Sequence, residues 1–431
     1  MGSAFAAGTG GLLASCAGGP RATAAETATT GAPPRNRCPY SGVDWASALQ
    51  IKGTTHVHCT CQDDLDVLLK RGIGFLTLSN YYPSAPWWPL EKMTKNYWRV
   101  HHDFPVMVKE KRTEGPFDWN AMVAPWADSL KPEQKAQYPF VEGDRLFKPL
   151  PEGVLEAPNA EHHAFRYAPG DVAGRRMLAA DPAGKFIAKL HINAPGSAFA
   201  SGTFDQLNRF KTFSRGGCNF GSGESWQTAM DRMIAGLICP DGGGITVNHP
   251  GWTSLDREFL LDMLDYDPRV LGIEVIEGGW GNCERYWDWV LSTGRQCFGF
   301  FVPDHSIRRK DDSFGVCVLV VPERSVEACL RAYRQGNFYG AKRGLDELRF
   351  TRIAFEGATA VAETDRPARF EVITAGGVVK RVENATSVSW TMEKASGYCG
   401  PRKDYHVFVR IKAYALDGSG EELFTQPYML V

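Results

Sequence analysis

Gly244-Ile245-Thr246-Val247-Asn248-His249-Pro250-Gly251 decides how this chain reads as a fold. A short apolar run breaks off at a polar tip. A helical pattern, Asp256 to Leu264, follows, and then a second buried run, Gly272-Ile273-Glu274-Val275-Ile276. Runs that are apolar throughout are the habit of strands covered on both faces, and the period near 3.6 between them marks helices. The same order occurs upstream. Asp63 to Arg71 has carboxylates in its first turn and bases in its last, as the helix dipole favours, Gly72 stops it, and Ile73-Gly74-Phe75-Leu76-Thr77-Leu78 is the next strand. Thr228 to Cys239 predicts another amphipathic helix, and Phe186 to Leu190 leads into His191. Downstream, Tyr286 to Leu291 is a helix closed by Gly294. Phe298-Gly299-Phe300-Phe301-Val302 then ends in Pro303-Asp304-His305. Strand, polar tip and helix in repetition predict a (β/α) barrel with its chemistry at the C-terminal strand ends.

The histidines fall at those tips. His56-Val57-His58 closes the strand-like run Gln50 to Thr55, and residues two apart on a strand share a face, so both imidazoles can reach one ion. Of the 10 His, most others lie in Glu161-His162-His163, His191, His249-Pro250 and Asp304-His305. Each cluster alone has a plain reading: a loop His-Pro, a helix start, or an adjacent pair of which at most one points inward. Their joint occurrence after successive apolar runs favours one metal site. His101, His102 and His406 lack that context. Imidazole and carboxylate suit a divalent metal, Zn, Mn or Fe, as one or two ions. Such a centre activates water for hydrolysis of a phosphoester or related ester. Cys59 and Cys61 are weaker candidates, because thiols are uncommon beside a hard, water-activating ion.

A net charge of −1 gives no argument for nucleic acid or an anionic membrane, so the expected partner is a small-molecule substrate, an anionic one included. Arg209, Lys211, Arg215, Arg308, Arg309 and Lys310 lie near the motif-bearing segments and are candidates for holding an anionic group. The 43% hydrophobic content suits a filled core. Residues 1–19 end a small apolar run at Leu13-Ala14-Ser15-Cys16, the pattern of a bacterial lipoprotein signal, although the usual basic start is missing. This predicts a lipoprotein of the cell envelope or periplasm, attached to the membrane through lipidated Cys16. The alternative is a disordered Ala/Gly/Thr tail. Residues 20–45 read as a tether, 46–344 as the barrel and 345–431 as a small antiparallel β-domain. Within the barrel, 79–160 is an irregular Pro- and Trp-rich excursion that serves either as a substrate cover or as packing.

Thr55-His56-Val57-His58, Asn159-Ala160-Glu161-His162-His163, Val247-Asn248-His249-Pro250-Gly251 and Gly299 to His305 resemble the successive motifs of the PHP (polymerase and histidinol phosphatase) superfamily of metal-dependent hydrolases. Gly336-Asn337-Phe338-Tyr339-Gly340, Tyr405 to Arg410 and Gln426-Pro427-Tyr428 are similar to its carbaryl-hydrolase-like branch. The resemblance implies a distorted (β/α)7 TIM-like barrel with a C-terminal antiparallel β-domain. It also implies metal ligands His56, His58, Glu161, His191, His249, Asp304 and His305. Glu161 would bridge metals, and Glu161 and Asp304 would be the catalytic carboxylates. Two departures stand out. Ser79-Asn80-Tyr81 occupies the place of a family Asp-His, which predicts a weakened or empty metal position. Asp304 and His305 are adjacent where the family separates them, so both bind only if the strand has ended; His305 is favoured. For the general acid, Asp63, Asp304 and an activated water remain open. Beside the hydrolase stand two alternatives: an envelope binding protein with lost or weakened catalysis, and a glycan-directed lyase or deacetylase.

Overall fold

The computed structural model describes residues 35–59, 61–79, 89–92, 145–164, 190–199, 203–204, 226–253, 255–278, 281–308, 314–344, 348–392 and 407–430. The elements run β1 Leu49–Thr54, α1 Gln62–Lys70, β2 Ile73–Leu76, β3 Leu155–Glu156, β4 Glu161–Ala164, β5 Leu190–Asn193 and β6 Thr203–Phe204. They continue α2 Trp226–Ala235, β7 Ile245–Val247, α3 Arg257–Tyr266, β8 Val270–Glu277, α4 Glu284–Ser292, β9 Phe298–Val302, β10 Gly315–Val321, α5 Val326–Gln335 and β11 Phe338–Lys342. The remainder is β12 Phe350–Glu356, β13 Thr359–Thr374, β14 Gly377–Thr391, β15 Phe408–Ala415, β16 Glu422–Phe424 and β17 Tyr428–Met429.

Local chemistry explains the helix ends. Asp256 accepts a hydrogen bond from the Phe259 N–H at 2.9 Å and so starts α3. Ser325 does the same for α5 through the Ala328 N–H, and Gly336, at φ 74°, ends it. α3 buries Phe259, Leu260, Met263 and Leu264, each contributing about 1.5–3 kcal/mol on an apolar-transfer scale. No helix among the described residues is long and apolar enough to cross a membrane.

The chain is mixed α/β with two sheets. One runs β6-β4-β5-β7-β8-β9; the other runs β12-β13-β15-β16-β11-β10-β1-β2-β3, with β14 on β13 and β17 on β15. Parallel pairing, expected throughout the first part, holds for β1–β2–β3 and β7–β8–β9. β5 is antiparallel to β4 and to β7, and β10 is antiparallel to β1. An apolar pattern with period two carries no strand direction, so neither reversal was legible in it. Strands β12 to β17 pair antiparallel with one another and, through β16, with β11. Strands β13 and β14 are long, with 16 and 15 residues. Their register shifts between Glu363 and Ala368, around Pro367, and a bulge absorbs the missing N–H there without ending the strand.

Two buried contacts tie the C-terminal strands to the segments that build the site. The Gln426 amide receives the Gly299 N–H at 2.8 Å and donates to the Gly299 carbonyl at 2.9 Å, fixing β9. Arg410 on β15 is buried and donates to Asp288 and Glu284 on α4.

Candidate metal centre

Termini of six strands, β1, β2, β4, β5, β7 and β9, converge. The Asp304 N–H donates to the His56 carbonyl at 3.1 Å, and Val57 and Asp304 form a parallel bridge. The Ser79 N–H donates to the Val57 carbonyl, the Glu161 N–H to the Ser79 carbonyl, and the Asn248 N–H to the His191 carbonyl. A buried polar frame supports the β1 end: the Asn159 amide donates to the Thr55 and Thr77 carbonyls, and the Asn193 amide to Thr55 at 2.6 Å. Amide side chains suit this place, because they satisfy strand-end carbonyls that no neighbouring strand reaches.

This frame brings His56, His58, Glu161, His191, His249 and Asp304 together, all buried. His56 Nε2 lies 3.1 Å from His58 Nε2 and 3.1 Å from Asp304 Oδ1; His58 Nε2 lies 3.3 Å from Asp304 Oδ1 and 3.2 Å from Glu161 Oε2. Donors about 2.1 Å from one ion in a tetrahedron stand about 3.4 Å apart, so the spacings among His56, His58 and Asp304 match the edges of one coordination shell. Glu161 Oε1 faces the other side: His191 Nδ1 at 2.7 Å, His249 Nε2 at 3.3 Å and His56 Nε2 at 3.5 Å. His56, Glu161 and His249 thus form a second group of donors that shares His56 with the first. His56 Nδ1 is 2.7 Å from Glu274 Oε1, so Nε2 is its one nitrogen for an ion, and it can serve only one of the two groups. The residues fit a divalent cation in both donor type and spacing.

Electrostatics point the same way. Burial disfavours charge on His56, yet Asp304, Glu274 and Glu161 hold its pKa well above the ordinary imidazole value. His58 and His249 are raised against burial by Asp304 and Glu161 and by Glu161 and Glu274 respectively. Burial would raise Asp304, but His56 and His58 hold it well below the usual carboxylate range. Ionised Asp304 suits a ligand. Asp63 is exposed in the first turn of α1.

Two of these residues have unusual backbones. His249 has φ 25° and Asp304 φ 46°, conformations that cost of order 1–3 kcal/mol for non-glycine residues. Asp304 is reached because Gly278, at φ 51°, leaves room for the turn: a Cβ there would lie 2.1 Å from the Pro303 carbonyl oxygen. Ser306 completes the turn, donating its hydroxyl to the Gly278 carbonyl.

His305 lies differently from the other predicted ligands. β9 has ended by this point, and the turn sends Asp304 inward and His305 outward. Its ring is half exposed, stacks on His58 at 4.1 Å, and has Nε2 3.8 Å from Asp304 Oδ1. The neighbouring His58, with burial, lowers its pKa to about 4. Of the pair, Asp304 and not the favoured His305 joins the donors. His162 is buried and stacks on Phe199. Burial pushes the Cys59 thiol far up, which makes it a poor thiolate ligand. Arg308 pairs with Asp64 at 2.7 Å. Asn80, the rest of the excursion, His101, His102, Arg209, Lys211, Arg215, Arg309, Lys310, His406, residues 1–34 and the side chain of His163 lie outside the described residues.

Sequence reasoning missed two residues. Glu274 is the single carboxylate among Val270 to Ile276, and a charge inside an otherwise apolar strand was the signal that could have found it. Trp252, three residues after His249, is 47% exposed and packs edge-on against His249 at 5.0 Å and His191 at 5.6 Å. It places an exposed indole beside the donors.

No protein-family model matches this chain, and no curated protein does. Among solved structures, the chain is similar to a two-domain protein from Bacteroides vulgatus ATCC 8482 described as containing a predicted PHP-like metal-dependent phosphoesterase. The identity is 12%, the match covers 89% of this chain and 95% of that one, and the TM-score is 0.37. A likeness of that size places neither fold nor activity.

Proposed function

We propose that this chain is a divalent-metal-dependent hydrolase acting on a phosphoester or related ester. One observation carries the reading: His56, His58 and Asp304 present buried nitrogen and oxygen donors at the mutual spacing of a single coordination shell, with Glu161 Oε2 3.2 Å from His58. His191 and His249, on the Oε1 side of Glu161, are the donors for a second ion, so Glu161 would bridge where two are bound. When bound, a Zn, Mn or Fe ion polarises the ester oxygen and lowers the pKa of an attacking water. The chain's own part is positional. Asp304 stays ionised, the turn at Gly278 aims it, and Glu161 adds a second carboxyl group. Trp252 and His305 are the half-exposed rings beside the donors and would meet a small-molecule substrate.

The same reading takes strands β1, β2, β4, β5, β7, β8 and β9 as a distorted PHP-type (β/α)7 barrel, of the carbaryl-hydrolase-like branch, with residues 345–431 as its β-domain. Cys16 would be lipidated, placing the protein in the cell envelope; Cys16→Ala should then release it from membranes in its native host.

Metal analysis of protein purified without chelator, followed by a screen of p-nitrophenyl phosphate, phosphodiester and carboxylic-ester substrates, tests the activity. Bound metal with metal-stimulated turnover supports it. Metal without turnover of any of these classes would favour a binding role. Absence of both would overturn the enzyme reading.

A further inference from the structure

We infer that Glu274 is a positioning residue that aims two imidazoles of the site at once. This rests on the metal reading above. Glu274 sits in the middle of β8, is fully buried, and uses both carboxylate oxygens. Oε1 lies 2.7 Å from His56 Nδ1, and Oε2 accepts the His249 backbone N–H at 2.8 Å. His56 belongs to the end of β1 and His249 to the end of β7, so one side chain ties together two strand ends that supply donors.

The consequences differ for the two partners. A carboxylate can only accept, so the proton that His56 keeps when it binds an ion sits on Nδ1, leaving Nε2 for the ion on the side of His58, Asp304 and Glu161. At His249 the bond holds the backbone. That residue has φ 25°, and its buried N–H is satisfied by Glu274. With the backbone held, His249 Nε2 stays 3.3 Å from Glu161. An apolar residue at position 274 would leave one imidazole free to take the other tautomer and one strained N–H without a partner.

Glu274→Gln separates positioning from packing. The amide has one accepting oxygen where the carboxylate has two, so it cannot receive both N–H groups. If its oxygen keeps the His249 N–H, its NH2 must donate to His56 Nδ1, which moves the His56 proton to Nε2 and blocks the nitrogen facing the ion. The expected result is a 10- to 100-fold weaker Zn2+ affinity by calorimetry, with the folded secondary structure retained. In zinc-saturated wild-type protein, 15N NMR should show His56 protonated at Nδ1. Glu274→Asp, which keeps both acceptors, should restore more of the affinity than Glu274→Gln, and it carries the test if the Gln variant does not fold. Glu284→Gln, a substitution of a partly buried carboxylate that pairs with Arg410, should lower stability without changing zinc affinity. Equal zinc affinity in wild type and Glu274→Gln, or a His56 proton at Nε2 in the wild type, overturns the inference. Failure of the wild type itself to bind zinc is a different result: it removes the metal reading, and the positioning role with it.

Discussion

Replacing Gly278 with Ala tests whether the turn after β9 is what puts Asp304 among the imidazoles. Gly278 has φ 51°, and an added Cβ would meet the Pro303 carbonyl oxygen at 2.1 Å, its carbon at 2.5 Å and the Asp304 Cβ at 2.7 Å. Real Cβ atoms essentially never come within 3.0 Å of such neighbours, and two of these three are backbone atoms that cannot rotate away. The Pro303–Asp304 turn must therefore retreat by about 1 Å, a displacement large enough to matter in a preorganised site. Asp304 Oδ1 now stands 3.1 Å and 3.3 Å from His56 and His58. A retreat of that size takes it to about 4 Å, beyond the edge of about 3.4 Å that one shell allows. The left-handed backbone adds about 1–2 kcal/mol for Ala, and the overlap about 1–3 kcal/mol. Gly278→Ala should thus lose about 2–5 kcal/mol of stability and at least about tenfold in metal affinity. Gly357→Ala is the control: its φ is 57°, nothing lies within 4 Å of the added Cβ, and metal affinity should not change. Thermal unfolding and a calorimetric Mn2+ titration read both. A Gly278→Ala protein that binds metal like the wild type would refute the role assigned to this turn.

Other outcomes follow from the same geometry. His58→Ala should strip most metal and activity while the fold survives, read by metal analysis and circular dichroism, because ligands act as a unit. Metal affinity should rise with pH from about 6 to 8, since the ion competes with protons on His56, His58 and His249, all held above the ordinary 6.5. The ion-free protein should show the opposite slope. Raised imidazoles contribute stability that is present below 6.5 and lost as pH rises through their folded values, while Asp304, already ionised above 3.8, adds no slope there. Denaturant unfolding across that range, with chelator present, checks the sign. Arg410→Ala should cost about 3–5 kcal/mol in the same assay, because it leaves Glu284 and Asp288 short of their buried cation. Burial would raise Glu284, but Arg410 and Lys412 hold it low, so its share of stability is present above its ordinary 4.5 and lost as pH falls through the folded value. Glu284→Gln should flatten the acid limb of that profile.

Much of the candidate site could be read from the chain because most of its donors end strand-like runs. His56, His58, His249 and Asp304 each follow a strand-like stretch, whereas Glu161 opens β4, and strand termini are where polar groups gather. Glu274 escaped notice because it lies inside such a stretch, where the apolar context was read and the lone charge was not. The choice between Asp304 and His305 turned on a backbone angle. That angle depends on the room left by Gly278, some twenty-six positions earlier in the chain, and adjacency alone does not encode it. Strand β10 was passed over although Gly315 to Val321 is apolar throughout, because no polar tip or helix signal marked its start. The direction of β5 was beyond reach for a simpler reason: alternation names a face and not a direction.

The divalent ion of the proposed hydrolase would sit among His56, His58 and Asp304. An anomalous-difference map, recorded at the absorption edge of Mn or Zn from crystals of metal-loaded protein, tests it most directly. A peak is expected about 2.1 Å from His56 Nε2, His58 Nε2 and Asp304 Oδ1. A metal-loaded crystal with no peak there, or with its peaks away from these side chains, would contradict it.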